Sequence, residues 1–330
     1  MLFEYAVEPQ AIGSSWQTFL YLIEKFGFDR GRLISRLPGK WEKKVIQAAK
    51  EAGVPDVRMA SIVERLRNAK LAVVDYGRPY TSEMSWIDNA LTEHQRAPFH
   101  AIISQQNPAG SAAVLPVADI DEHQPLMAVA QDRAVSREAE SIAGALSGFL
   151  RVSTRILFVD PFFDPYNARY KSSLRACLAV VKANNPGAAC EIHYRYHNNK
   201  PTNTELEREA ANLFNGVIPE GLAVSVYCWR QKNGGADFHA RYLLTERGGV
   251  GIDAGFSAEG GHQTTDMHLM SVVLSQARLT AFARDTTDFE LVEPVLEIRS
   301  DGSVRRLKLL STSLRPTESH RTDTSVILRE

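Results

Sequence analysis

The run RILFVDPFF, residues 155–163, constrains the fold more than any other stretch of the chain. It is apolar without alternation, so a strand made from it is buried on both faces, which requires a sheet with layers packed above and below. The pattern around it is regular. A helix over Ser136–Leu150 precedes it and a helix over Ala168–Ala183 follows, with Leu174, Leu178 and Val181 three or four apart. Next come a strand over Cys190–Tyr196 and a helix over Thr204–Phe214, where Thr204 and Glu207 have the spacing of a capping box. Strands are then expected over Leu222–Trp229, Phe238–Thr245, Val250–Phe256 and Met267–Leu274, with a turn at Gly248–Gly249. Strands alternating with helices and then running as hairpins predict an α/β fold with a mixed sheet flanked by helices.

The first 130 residues read differently. Helices are expected over residues 14–27, Gly39–Ala52, Arg58–Ala69 and Tyr80–Glu93, with short strands over Leu71–Asp75, Phe99–Ser104 and Ala113–Val117. The expectation is a mostly helical region over 1–130, the α/β domain over 131–283, and an extension over 284–330. The net charge is −1, but it is unevenly placed. From Arg30 to Lys70 eleven lysines and arginines face four acids, Glu42, Glu51, Asp56 and Glu64. Such an excess points to an anionic partner, most often nucleic acid, with Lys43 and Lys44 as contacts; the alternative is a solvated helix surface with internal ion pairs. Cys177, Cys190 and Cys228 are odd in number and lack CxxC spacing, which argues against a disulfide framework or zinc site. No apolar run is long enough to span a bilayer and the N-terminus lacks a secretory pattern, so a cytoplasmic protein is expected.

The segment DFHARYLLTERGGVGIDAGFSAEG carries the chemistry. On a strand, His239 and Arg241 point the same way, and Glu246 follows as the strand enters the turn. Gly255 and Ser257 close the next strand. A guanidinium can hold two phosphate oxygens while an imidazole beside it attacks or moves a proton, and a carboxylate orients the ring. Asp160 ends its strand at the carboxyl edge, where ligands gather in open α/β sheets, or else caps the turn through Pro161. His193, Arg195 and His197 share one face of another strand, expected at a solvent-facing edge, with a substrate groove as the alternative. His262, Asp266 and His268 have no standard metal spacing.

This pattern resembles the phospholipase D superfamily, whose motif is His-x-Lys-x4-Asp followed by a strand containing Gly and Ser. It is most similar to the phospholipase-D-like C-terminal domain of MIT-domain proteins. The counterparts here are Asp160-Pro161-Phe162, His239-Ala240-Arg241, Gly248-Gly249 and Gly255-Phe256-Ser257, and the resemblance runs from Arg155 to Leu274. It implies a phospholipase-D-like half-domain and a metal-independent phosphodiesterase, a nuclease without cofactor. Because the motif occurs once, two copies must meet in a homodimer. His239 would then form a phosphohistidine, Arg241 would stabilise charge on phosphorus oxygens, and bacterial defence against foreign DNA is the fitting role. Arg241 stands where active members have lysine and Glu246 where they have aspartate, and the MIT-type domains bind lipid or protein rather than cleave. The competing expectations are therefore a non-catalytic phosphate- or nucleic-acid-binding module, or a structural subunit docked to a partner protein in a larger complex.

Overall fold

The computed structural model describes residues 1–68, 71–121 and 123–307. Lys70 and the part of the expected extension beyond Leu307 lie outside the described residues.

The N-terminal region holds the expected helices and also a sheet. In chain order it contains β1 (Phe3–Val7), α1 (Pro9–Ile12), α2 (Trp16–Lys25), β2 (Arg32–Ser35), α3 (Trp41–Glu51), α4 (Asp56–Arg67), β3 (Val73–Val74), α5 (Trp86–Arg96), β4 (Ala101–Ser104) and β5 (Val114–Pro116). The strands form one parallel sheet in the order β3-β2-β1-β4-β5. β1 and β2 have no counterpart in the sequence reading, because runs of five and four residues carry too little periodicity to be told from loops. Tyr5, Ile34, Phe19, Trp41 and Val45 are buried between this sheet and its helices.

The rest of the chain builds a nine-stranded sheet. Its elements are β6 (Asp132–Arg137), α6 (Ala139–Leu150), β7 (Arg155–Val159), α7 (Ala168–Asn184), β8 (Ala189–Arg195), α8 (Asn203–Leu213), β9 (Ala223–Gln231), β10 (Tyr242–Thr245), β11 (Gly248–Ile252), β12 (Gly260–Leu269), α9 (Val272–Ala281), β13 (Phe289–Arg299) and β14 (Val304–Leu307). The order is β14-β13-β9-β8-β7-β10-β11-β12-β6, with β7, β8 and β9 parallel and every other neighbour antiparallel. The α/β class with a mixed, helix-flanked sheet is thus the observed one. As the apolar run demands, β7 is central. Ile156 and Phe158 face α6, α7 and α8, while Leu157 and Val159 face a second apolar layer with Trp229, Phe238 and Phe282.

Of the boundaries that differ from the sequence reading, three bear on the architecture. Thr202, not Thr204, caps α8, and the capping box pairs it with Glu205. The strand expected over Met267–Leu274 ends at Leu269, because Ser271 accepts from the Leu274 amide and starts α9. Over its described part, segment 284–330 is no separate extension, since β13 and β14 complete the large sheet. The two sheets also share packing: Met1, Phe28, Leu33 and Val74 join the cluster around α6, with Phe28 and Phe149 rings 5.2 Å apart. Among the described residues no helix is long and apolar enough to cross a membrane.

Candidate anion site at the carboxyl edge of the large sheet

Asp160 follows the last residue of β7 and is 2% exposed. Its Oδ1 accepts from the Phe162 amide at 2.9 Å and its Oδ2 from the Phe256 amide at 3.0 Å, which ties the end of β7 to the turn after β11. Burial pushes its carboxyl up, opposed by those two amides and by the nearby charges of Arg241 and Lys200. Lys200 donates to the carbonyls of Pro161 (2.6 Å) and Arg195 (3.1 Å), and burial pulls its pKa down to about 8 against the attraction of Asp160. Gly255 has φ +72, and a Cβ there would run into the Asp160 carboxylate and the Arg241 side chain. The position therefore needs glycine for both conformation and space.

Above this base, Phe162 gathers cations. The Arg241 guanidinium lies 4.6 Å and that of Arg195 5.6 Å from its ring centroid, while His239 meets it edge-on at 5.3 Å. The two guanidinium contacts are the favourable geometry for a cation against an aromatic quadrupole, and the edge-on histidine is the favourable geometry for a ring pair. Arg241 is aimed by a hydrogen bond from Nη1 to the Asp253 carbonyl (2.8 Å), and Arg195 by one to the Phe238 carbonyl (3.3 Å). The cavity beside Asp160 measures about 10 Å³, room for a water at most, while Phe162, Arg195 and Arg241 are half-buried and His239 is exposed.

Several sequence expectations need correction. His239 and Arg241 do not lie on a strand, since β10 begins at Tyr242, and His239 is exposed. Tyr242 pairs with Val159, the last residue of β7, and beyond it Asp160 and Pro161 turn away and offer no ladder. Gly255 and Ser257 lie in the turn after β11, not on it. Gly255 belongs to the site, whereas Ser257 is buried and joins a neighbouring cluster. Its hydroxyl donates to Glu259 (3.1 Å), and its carbonyl accepts from Arg137. Glu259 there also pairs with Arg137 and Arg169.

Glu246 is the larger departure. It sits at the other end of β10, with roughly 13 Å of strand between it and Arg241. Both its oxygens are engaged, Oε1 by the Thr154 amide (2.8 Å) and Oε2 by the Arg155 amide (3.1 Å), so it clamps the start of β7. It cannot orient His239. With β10 running from Tyr242 to Thr245 between them, His239 and Glu246, seven residues apart, lie at opposite ends of the strand, so the motif's carboxylate is carried away from its histidine.

His193 also differs from expectation. β8 is internal, between β7 and β9, and His193 is fully buried. Its Nδ1 accepts from Trp229 Nε1 at 3.0 Å, so Nε2 carries the proton and donates to Glu191 at 2.9 Å. Glu191 in turn holds Arg155 through two bonds of 2.7 and 3.0 Å. Burial would raise the Glu191 carboxyl, but His193 and Arg155 outweigh it and bring its pKa down to about 2. This network braces the sheet and offers no free group. Its neighbour Arg195, together with Phe162 and Lys200, belongs to the site without having been singled out as part of it. The usable signal was position, for all three fall at or beyond the carboxyl ends of adjacent parallel strands. Among the described residues no group of three or more His, Cys, Asp or Glu could hold a metal ion. Lys43 and Lys44 are exposed on α3, in the other part of the molecule.

No protein-family profile matches the chain, and no curated protein matches it. Among solved structures, the chain is similar to TrmBL2, an archaeal chromatin protein whose structure shows a mode of DNA binding. The likeness has a TM-score of 0.26 at 11% identity, covering 77% of this chain and 72% of that one. A likeness that slight carries no conclusion about fold or function.

Proposed function

We propose that the residues around Phe162 bind a phosphodiester, and that the chain is a nucleic-acid-binding protein of phospholipase-D-like architecture. The observation that carries this reading is the set of three side chains, Arg241, Arg195 and His239, held against one ring above the buried carboxylate of Asp160. With Nη1 fixed on Asp253, Arg241 keeps donors for phosphate oxygens and has lost little freedom to do so. Binding is favoured over cleavage because a histidine nucleophile needs a carboxylate to orient it. Glu246 is spent on the amides of Thr154 and Arg155, and both oxygens of Asp160 accept from backbone.

A second reading, a dimeric phosphodiesterase acting through a phosphohistidine, is supported by one feature. The His239 ring is exposed and has no hydrogen bond among the described residues, so a second copy would find it accessible. A role against foreign DNA follows only from that reading.

Binding and cleavage of a labelled oligonucleotide in EDTA separate the two. For a binding site, Arg241→Ala weakens affinity by roughly 10- to 100-fold, the worth of a charge-assisted contact, while His239→Ala changes it by less than about tenfold. No cleavage occurs in either variant or in the parent. Turnover by the parent that His239→Ala abolishes without loss of binding would instead establish the enzyme.

A further inference from the structure

The basic excess between Arg30 and Lys70 is not used by the site at Phe162. Part of it lines a cleft between the two sheets, at the opposite edge of the large one. The cleft has a volume of about 420 Å³; Arg36, Arg67 and Asp75 line it from the small sheet's side, and Arg151, Asn184 and Arg247 from the large sheet's side. It joins a second hollow of about 440 Å³ through Arg36, Glu42, Leu66 and Arg67, and that hollow is bounded further on by Gly39, Lys40 and Lys43. We infer that this joined cleft binds the sugar–phosphate backbone of a nucleic acid strand.

The charge balance supports an anion. Six cations face two acids, and both acids are spent on one residue: Glu42 accepts from Arg36 at 2.5 Å, and Asp75 pairs with it at 3.6 Å. Arg67, Lys40 and Lys43 are left without an ion pair among the described residues, and Arg67 and Lys43 are exposed. At the far end the cations are positioned rather than free. Arg151 donates to Asn184 (3.1 Å) and stacks on Tyr76, while Arg247 donates to the Val152 carbonyl (3.0 Å). Free charges at one end and oriented guanidinium groups at the other form a row along the joined hollows.

That row favours a backbone over a compact nucleotide. The walls between the cations are aliphatic, from Ile46, Val63, Leu66, Val73 and Val152, and among the described residues no aromatic ring lines either hollow. A base held by stacking would need one, whereas repeated phosphates need only repeated cations. The inference shares the nucleic-acid partner with the reading of the Phe162 site, but rests on other residues and is tested by other variants.

The test is fluorescence anisotropy of the full chain with a labelled single-stranded oligonucleotide of mixed sequence, at several salt concentrations. Lys43→Glu with Arg67→Glu should lower affinity at least tenfold at low salt. It should also make the log–log salt dependence shallower by roughly 1.4, at about 0.7 per lost phosphate contact. The control is Arg175→Glu with Arg208→Glu, two exposed positions on α7 and α8 with the same change in net charge, and it should leave both quantities unchanged. Equal losses in the two double variants would mean net charge alone, and would overturn the cleft. Saturable binding of ATP or pyrophosphate that the cleft variant abolishes, with no oligonucleotide binding by the parent, would overturn the backbone assignment. Loss in Arg241→Ala but not in the cleft variant would leave the Phe162 reading standing and remove this one.

Discussion

The two sheets hold their charges in opposite ways. In the small sheet the strands are two to five residues long, and the basic residues of α3 and α4 lie outside, some of them facing a cleft. In the large sheet β12 and β13 reach ten and eleven residues, and the charged groups at the carboxyl edge are drawn in around a buried carboxylate. Wide burial lets the large sheet fix cations through backbone and ring contacts. The small one does so for Arg32 and Arg78 but leaves the basic residues of α3 and α4 solvated. A buried, oriented group costs more to remove than a solvated one, so stability and binding should separate between the two regions.

The sharpest test compares two carboxylates. Asp160→Ala in the large sheet leaves the Phe162 and Phe256 amides unpaired and Arg241 and Lys200 without their counter-charge, at a cost of about 3–5 kcal/mol. Glu4→Ala in the small sheet breaks the 2.6 Å pair with Arg78, but Arg78 keeps the Ala97 carbonyl and lies 3.7 Å from Glu93, so about 2 kcal/mol is expected. Urea unfolding measures both, and equal costs would break the contrast.

Two glycines with nearly the same φ make the second pair. Gly255 (φ +72) has the Asp160 carboxylate where its Cβ would go, while Gly53 (φ +73) faces open space after α3. Alanine at Gly53 carries only the left-handed strain of about 1 kcal/mol, whereas at Gly255 the collision adds to it and about 3 kcal/mol is expected. Arg241 should also shift, so ligand affinity falls with stability at Gly255 alone.

Acid should act on the two regions with opposite sign. Glu191 has its folded pKa lowered from 4.5 to about 2, so its contribution is complete above 4.5 and is lost as pH falls towards 2. Burial raises the pKa of Glu8, after β1, despite the bond from the Gln105 amide, so the folded state gains relative stability as pH falls through that raised value. Against the parent, Glu191→Gln costs about 2 kcal/mol at neutral pH, and the difference shrinks with acid. Glu8→Gln, by contrast, should look best at neutral pH and lose that advantage with acid. Urea midpoints at several pH values decide it, and the same trend in both would remove the distinction.

The smallest effect concerns Glu246. Glu246→Gln keeps one acceptor for the Thr154 or Arg155 amide, so it costs about 0.5–1 kcal/mol and leaves oligonucleotide affinity unchanged. A change in affinity comparable with that of Arg241→Ala would return Glu246 to the site.

What could be read from the residues alone depended on length and locality. The buried β7, the helices α2 to α8 and the α/β class follow from runs long enough to show a period, and the basic surface of α3 and α4 from composition. Gly255, expected on a strand, lies in a turn, but Asp160 and Arg241 were singled out because a strand end and a cation each leave a local mark. β1 and β2 were not, because a five-residue strand is stabilised by pairing with residues distant in sequence. Nor was the fate of Glu246 or His193. Whether a polar side chain serves a ligand or braces a sheet depends on which partners the fold brings within about 3 Å. Strand order alone set those partners here, giving Glu246 the amides at the start of β7 and His193 the indole of Trp229. The same packing gave Phe162 its two guanidinium groups and the His239 ring, drawn from β8 and from the segment entering β10.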